Sequence, residues 1–184
     1  VKFQTIVPTE LVSALETKRV AQLEKFRFTY EQFEKLKATA DREGIQFLST
    51  PFDLCSVAFL TPLVPAFKIA SGDNDFYPLV DVAAKTGKPL IVSSGLLELH
   101  EIAALRNRID RARDGAATDL AVLHCVVDYP TPKAEANLGA ISALIALGGV
   151  VPGYSDHTLG VAAATLSVAA GARVVEKHFT LAHD

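Results

Sequence analysis

The sequence contains no methionine and no tryptophan, and only two of its 184 residues are cysteines. A natural chain of this length usually carries a few methionines, so we expect the sequence, which begins at Val1, to be part of a longer protein. No apolar run reaches the roughly 20 residues that a membrane-spanning helix needs. No signal-peptide pattern is recognisable either. These absences argue against a membrane protein and favour a cytoplasmic location.

The formal net charge of −3 is small for this length. Such a charge does not favour nucleic acid or an anionic membrane as a partner, so an anionic substrate would have to be bound by local cations. Cys55 and Cys125 match no metal-binding or redox spacing. We expect both to be reduced, buried thiols.

Seven short apolar runs alternate with helical patterns along the chain. The runs are rich in Val, Ile, Leu and Phe, which is typical of parallel strands covered on both faces. They lie at 1–5, 45–50, 66–71, 89–94, 120–126, 150–155 and 173–179. Helical patterns lie at 30–43, 100–113 and 159–170, and the irregular stretch 6–29 is expected to be a long loop carrying some helix.

This alternation predicts a single α/β domain over 1–184 with a parallel sheet. A doubly wound sheet and a (β/α)8 TIM barrel both fit. No Gly-x-Gly-x-x-Gly follows the first strand, which weakens the dinucleotide-binding version of the doubly wound fold. Seven strands, with the first at the start of the sequence, favour a barrel whose opening strand lies upstream.

Polar residues stand at the end of nearly every predicted strand. In a barrel, active-site groups come from the C-terminal ends of strands and from the loops after them. The residues in such positions are Lys2, Gln4, Ser49, Thr50, Lys68, Ser71, Asp73, Ser93, Ser94, Tyr129, Thr131, Ser155, Asp156, His157, Glu176, Lys177 and His178.

Lys68 lies inside an apolar strand. An unpaired buried ammonium is very costly, so this side chain either pairs with a structural carboxylate, reaches the edge of the strand, or binds an anionic ligand. Lys2 is similarly placed in the first strand. Two inward lysines near a row of hydroxyls would suit a phosphate or a carboxylate.

His157 and His178 end two consecutive strands. Neighbouring parallel strands are about 4.8 Å apart, so the two imidazoles can converge on one metal such as Mn, Fe, Co or Zn. The spacing is not a local metal motif, and paired core or catalytic histidines without metal fit it equally well. His124 is expected to be a satisfied core histidine, whereas His100 and His183 are expected to be solvated.

Tyr129 is followed by a stiff segment. Pro130 and Pro132 both fix φ, so the conformation of this loop is preset. The segment is either a rigid connection or a loop that holds Tyr129 over a pocket.

Six motifs stand in a fixed order along the chain: STPFD at 49–53, FKIASGD at 67–73, LHC at 123–125, YPTP at 129–132, GYSDHTLG at 153–160 and EKHFT at 176–180. Together they resemble the sialic acid synthase (N-acetylneuraminate synthase) family. Its relatives include legionaminic and pseudaminic acid synthases and synthases of spore-coat polysaccharide sugars. The resemblance covers essentially the whole chain.

The resemblance implies a catalytic (β/α)8 barrel followed by a small antifreeze-like domain, in a cytoplasmic homodimer. It implies an enzyme that condenses phosphoenolpyruvate with an N-acetylated hexosamine, N-acetylmannosamine or a related sugar, to give a nonulosonic acid and phosphate. It also implies a divalent metal, Mn²⁺ or alternatively Mg²⁺.

Roles for individual residues follow from the same resemblance. His157 and His178 would bind the metal. The phosphoenolpyruvate site would be lined by Lys2, Thr50, Lys68, Ser71, Ser93 and Ser155. Gln4, Asp73 and Tyr129 would face the sugar, and the catalytic residues would be Lys68, Tyr129, His157 and His178.

The chain also departs from the family pattern. Val127 stands where relatives often carry a polar residue, and the first barrel strand, with its catalytic glutamate, and the antifreeze-like domain are missing. We therefore expect residues 1–184 alone to be inactive or poorly active. The alternatives are another phosphoenolpyruvate-dependent synthase, of the deoxy-octulosonate or deoxy-heptulosonate type, and a non-catalytic barrel.

Overall fold

Seven strands run parallel to one another and are adjacent in the order of the chain. The computed structural model describes residues 1–115 and 119–182. The strands are β1 Lys2–Thr5, β2 Leu48–Pro51, β3 Phe67–Ile69, β4 Leu90–Ser93, β5 Leu120–Cys125, β6 Val151–Asp156 and β7 Val174–Lys177. β1 pairs with β2, and β3 to β7 form a second sheet in sequential order. β2 packs beside β3, so the two sheets form one continuous layer of these seven strands, which we call the wall.

Helices connect the strands and cover the outer side of this wall. They are α1 Pro8–Leu11, α2 Thr17–Glu24, α3 Tyr30–Arg42, α4 Leu54–Leu60, α5 Tyr77–Lys85, α6 Leu99–Ala112, α7 Ala140–Leu147 and α8 Ala162–Ala169. Among the described residues, none of these helices is both long and apolar enough to span a bilayer.

Local sequence signals set the ends of these helices. The Thr29 hydroxyl accepts the Gln32 backbone N–H, and the Gln32 side chain accepts the Thr29 N–H, which forms a capping box at the start of α3. Asp53 caps α4 by accepting the Ser56 N–H at 2.7 Å. Gly44 follows α3 with a φ of 67°, the left-handed conformation in which a helix commonly stops.

The hydrophobic core lies between the helices and the outer faces of the strands. Because side chains alternate along a strand, every second residue faces the helices. Apart from His124, the outward residues of β3, β4 and β5 are apolar and buried, and they pack with α3 to α6; they are Phe67, Ile69, Leu90, Val92, Leu120 and Val122. A smaller cluster joins Tyr154 of β6 to Ile141 of α7 and Ala163 of α8. The opposite, inner face of each strand does not pack against the helices.

The parallel α/β fold predicted from the sequence is confirmed. All seven predicted strands occur, and the stretch before α3 carries two short helices. A doubly wound sheet reverses its strand order at a switch point. The sequential order of β3 to β7 has no such reversal and matches the barrel alternative instead.

One prediction about the cysteines is wrong. Cys125 is buried, as expected, but Cys55 is exposed. Cys55 lies in the first turn of α4, whose buried face is formed by Ser56, Val57 and Leu60, so its side chain points to solvent. His183 lies outside the described residues.

Glycine at position 153 is required by the close approach of β5, β6 and β7. A Cβ atom at Gly153 would lie 2.6 Å from the Val174 carbonyl oxygen and would also clash with the Leu123 side chain. We predict that Gly153→Ala destabilises the protein by about 1–3 kcal/mol, the usual cost of overpacking. Urea denaturation measures this change.

Gly139→Ala is the matched control. A Cβ atom there meets only the Asn137 side chain, at 3.9 Å. An equal loss of stability in the two variants would contradict the steric explanation.

Candidate active site

Side chains from all seven strands, or from the residues directly after them, line a single cavity of about 180 Å³. It lies at the carboxyl ends of the strands, where active sites of parallel barrels are built. The lining residues are Lys2, Gln4, Thr50, Lys68, Ala70, Ser71, Ser93, Cys125, Tyr129, Ser155, His157, Glu176 and His178. A second cavity of about 350 Å³ opens between β1 and β7 and shares Lys2, Lys68, Glu176 and His178 with the first.

Lys68 projects from the inner face of β3, and only 3% of its side chain is exposed. Its ammonium donates hydrogen bonds to the Ser93 hydroxyl and to the Ile69 carbonyl, both at 2.8 Å. Burial lowers the pKa of Lys68 to about 8, although the nearby Glu176 carboxylate acts in the opposite direction. The group is therefore largely charged at neutral pH but close to its titration range.

Glu176 supplies the counter-charge for both lysines. Its carboxylate lies 3.9 Å from the Lys68 ammonium and 3.7 Å from that of Lys2, and it accepts a hydrogen bond from the Ser155 hydroxyl at 2.9 Å. Burial raises the pKa of Glu176, but the two lysines outweigh burial and leave that pKa below its ordinary value. One carboxylate thus faces two ammonium groups, which leaves a net positive charge for an anion.

Buried hydroxyl groups surround these charges. Thr50, Ser71, Ser93 and Ser155 line the cavity and are almost fully buried. Ser71 Oγ has no hydrogen-bond partner among the described residues. A buried polar group of this kind usually has a partner, so an oxygen-rich ligand in the cavity would satisfy it.

The two histidines at the strand ends lie close together, as predicted. The ring centroids of His157 and His178 are 5.5 Å apart. His157 Nδ1 lies 2.9 Å from the Val126 carbonyl and donates its proton to it, which leaves Nε2 as an acceptor for a metal or a substrate proton.

The pKa values of the two imidazoles move in opposite directions. Burial lowers the pKa of His178, and the neighbouring His157 lowers it further. Burial also lowers the pKa of His157, but hydrogen bonds with Cys125 and the Val126 carbonyl outweigh this and raise it above its ordinary value. The lowered pKa of His178 favours the neutral form, in which imidazole binds metals.

The two histidines could hold a divalent metal, but they would supply only two of its ligands. Among the described residues, no cluster of three or more His, Cys, Asp or Glu side chains is arranged to hold an ion. Two imidazoles would leave most coordination positions to substrate or water oxygens. Mg²⁺ and Mn²⁺ prefer oxygen ligands, so either ion would take most of its coordination from such oxygens.

Tyr129 covers the histidines. Its ring centroid lies 4.0 Å from that of His157 and 6.2 Å from that of His178, although 61% of the residue is exposed. Of the two sequence interpretations of this loop, the geometry matches the one in which Tyr129 is held over a pocket.

Three residues of the cavity, Ala70, Cys125 and Glu176, were not predicted to belong to it. Glu176 was noticed only as a polar residue in the last strand, and the signal was its alternation with His178, which places both on one face. Cys125 was expected to be an inert thiol. Burial raises the pKa of its thiol, but His157, whose Nδ1 lies 3.8 Å from the sulfur, and other polar neighbours such as Lys68 together outweigh burial and lower that pKa.

Other predicted residues lie elsewhere. Asp73 does not line the cavity; it is half-buried in the turn after β3. Gln4 lies at the exposed rim. His124 faces the other way, with Nε2 2.9 Å from the Ala136 carbonyl, as expected of a satisfied core histidine. His100 lies on the surface beside Glu98.

Comparison with known proteins shows which family this chain is related to. Residues 1–184 match the model of the NeuB family. An uncharacterized protein of Methanocaldococcus jannaschii is 43% identical over 98% of this chain and 53% of its own length. The N,N'-diacetyllegionaminic acid synthase of Legionella pneumophila is 36% identical over 98% of this chain and 55% of its own length. The chain spans about half the length of these curated relatives.

A solved structure agrees with the sequence comparison. The N-acetylneuraminic acid (sialic acid) synthetase of Leptospira borgpetersenii has a TM-score of 0.92 and 32% sequence identity, covering 98% of this chain and 62% of that chain. The resemblance inferred from six ordered motifs is thereby confirmed. Because the family model spans the full sequence and relatives more than 30% identical cover nearly all of it, the chain belongs to the NeuB family.

Proposed function

We propose that the protein containing this chain condenses phosphoenolpyruvate with an N-acetylated hexosamine, N-acetylmannosamine or a related sugar, to give a nonulosonic acid and phosphate. The observation that carries the proposal is the cavity in which Lys2 and Lys68 lie beside buried hydroxyls and a pair of imidazoles. Membership of the NeuB family, whose relatives include named legionaminic and sialic acid synthases, supports the same reaction.

The lysines and hydroxyls account for binding of phosphoenolpyruvate. Lys68 and Lys2 offer two ammonium groups to its phosphate and carboxylate, while Glu176 keeps the two charges close together in the absence of a ligand. Thr50, Ser71, Ser93 and Ser155 can donate to the remaining oxygens. Because these donors are fixed by strands, the reacting carbon is held in place, and such positioning supplies much of the rate.

The sugar is proposed to lie toward Tyr129, Gln4 and the histidines. A divalent metal held by His157 and His178, most simply Mn²⁺, would act as a Lewis acid on the open-chain aldehyde. C3 of phosphoenolpyruvate then attacks the aldehyde carbon and forms the new carbon–carbon bond. Water adds at C2, and phosphate leaves by cleavage of its bond to C2.

We also infer that the wall closes as a (β/α)8 barrel in the full protein. Lys2 of β1 lies 3.7 Å from Glu176 of β7, so the two ends of the wall come close to each other. Among the described residues, β1 and β7 each pair on one side alone, and one further parallel strand between them would pair with both. The antifreeze-like domain, the homodimer and the cytoplasmic location stay predictions.

We predict that the intact protein releases phosphate from phosphoenolpyruvate only when an N-acetylated hexosamine and a divalent metal are both present. EDTA should abolish the release, and Mn²⁺ should restore it. A panel of aldoses with mass detection of the product identifies the acceptor. Release with arabinose 5-phosphate or erythrose 4-phosphate, but not with N-acetylated sugars, would instead indicate a deoxy-octulosonate or deoxy-heptulosonate synthase.

The metal assignment has its own test. We expect His157→Ala combined with His178→Ala to remove Mn²⁺ binding and nearly all activity. His100→Ala, which alters a surface histidine, is the control. Activity that survives EDTA, or that persists in the double variant, would contradict the metal assignment.

Lys68 gives the proposal a pH signature. Its ammonium binds an anion only while protonated, so kcat/KM for phosphoenolpyruvate should fall as the pH rises through about 8, the pKa of Lys68 in the free protein. Lys68→Met should lower kcat/KM by about 10²–10³-fold, the usual cost of removing a preorganised electrostatic group.

Two variants serve as controls for this effect. Lys68→Arg carries a permanent charge and should lose the fall near pH 8, whatever its absolute rate. Lys85→Met removes an exposed lysine of α5 and should leave the profile unchanged. An unaltered fall in Lys68→Arg would show that another group is responsible.

A further inference from the structure

The outer side of the wall carries a polar cluster directly behind the two histidines. Asp156 and Lys177 are register partners at the ends of β6 and β7. Each stands next to a histidine in sequence, and alternation places it on the opposite face of its strand. The Lys177 ammonium lies 2.7 Å from Asp156 Oδ2, and the Asp156 side chain is fully buried.

Both members of this pair also hold the backbone that carries His157. Asp156 Oδ1 accepts the Thr158 N–H at 2.9 Å, and Lys177 donates to the Thr158 carbonyl at 2.8 Å. The Tyr154 hydroxyl donates to Asp156 from the helix side, at 3.3 Å. The residues on either side of His157 are therefore tied to Lys177.

The Asp156–Lys177 pair also helps to position His178, through the end of β7. Lys177 is the last residue of β7 and directly precedes His178. The bond to Asp156 fixes the end of β7 against β6 just before His178. On the other side of His157, the Thr131 N–H donates to the His157 carbonyl at 3.0 Å, which attaches the Tyr129 loop to the same point.

A buried carboxylate paired with a lysine is a poor source of net stability, because the cost of desolvation offsets the attraction. Its better-attested use is to specify one arrangement among several. Here the arrangement that it specifies is the register and the relative position of the two strand ends that present His157 and His178.

We propose that the Asp156–Lys177 ion pair is a positioning device that sets the spacing of the His157 and His178 imidazoles for a divalent metal. Neither residue lines the cavity of about 180 Å³, and although Lys177 borders the larger one, its ammonium is held by Asp156 and the Thr158 carbonyl, so both residues act through the histidines. The proposal rests on the proposed function, since it assumes that the histidines bind a metal. It does not involve the anion-binding lysines, which lie on other strands or, like Lys2, across the opening between β1 and β7.

The test measures Mn²⁺ binding and phosphoenolpyruvate binding separately, by titration calorimetry on the intact protein without the second substrate. Lys177→Met keeps the aliphatic part of the side chain and removes the charge. We expect the Kd for Mn²⁺ to rise about 10–100-fold, the usual effect of losing a group that orients metal ligands. The Kd for phosphoenolpyruvate should change by less than about threefold, and Lys177→Arg should recover most of the Mn²⁺ affinity.

A matched control separates positioning from general loss of an ion pair. Arg108 of α6 contacts Asp81 of α5 through two hydrogen bonds of 2.6 and 2.7 Å, away from the cavity. Arg108→Met should lower the melting temperature without changing the Mn²⁺ affinity. If Lys177→Met does not fold, Asp156→Asn replaces it, because an asparagine oxygen can still accept the Thr158 N–H and preserve the turn.

The outcomes are distinct. If the wild-type protein does not bind Mn²⁺, the metal part of the proposed function fails and this inference fails with it. If the wild type binds Mn²⁺ and a folded Lys177→Met or Asp156→Asn variant binds it equally well, the metal site stands and the positioning role is refuted. An equal loss of Mn²⁺ and phosphoenolpyruvate affinity would also refute it, because that result indicates general distortion of the wall.

Discussion

The arrangement at the strand ends depends on the burial of one ammonium group. Lys68 has been removed from water almost completely, and the protein compensates with the Ser93 hydroxyl, the Ile69 carbonyl and the more distant carboxylate of Glu176. This compensation is incomplete, because Glu176 also faces Lys2. An anionic ligand would complete it. The same shortage of negative charge that makes burial of the Lys68 ammonium costly therefore favours an anionic ligand.

The two faces of each strand are used for different purposes. Apart from His124, the outward residues of β3 to β5 are apolar and pack against the helices, so the inward residues need not contribute to the core. This separation lets polar groups gather inside the wall without interrupting the apolar core. β6 departs from the pattern, since its outward side carries the Asp156 carboxylate, and the departure occurs where two strand ends must be held at a fixed distance.

The sequence predicted the elements better than it predicted the contacts between them. The strands were recognisable because their sequences are apolar on both faces. Lys68, His157 and His178 stood out because polar groups in or at the ends of apolar strands are costly to bury unless they bind a partner. Glu176 was missed as a site residue because its role depends on Lys2, which is distant in the sequence. Asp73 was assigned to the sugar side through the resemblance; it lies half-buried in the short helical turn after β3, outside the residues that line the cavity, and its role stays a prediction. Exposure of Cys55 likewise depends on the orientation of α4.

The contact between Lys2 and Glu176 joins the first and the last of the described strands across the cavity. A ligand that touches Lys2 on β1 and either Glu176 on β7 or His178 directly after β7 would therefore cross-link two elements that are distant in the sequence. Because a ligand that binds the native arrangement lowers the population of locally opened states, substrate occupancy would suppress amide exchange in both strands. The exchange rates of β1 and β7 would then measure how much of the protein has ligand bound.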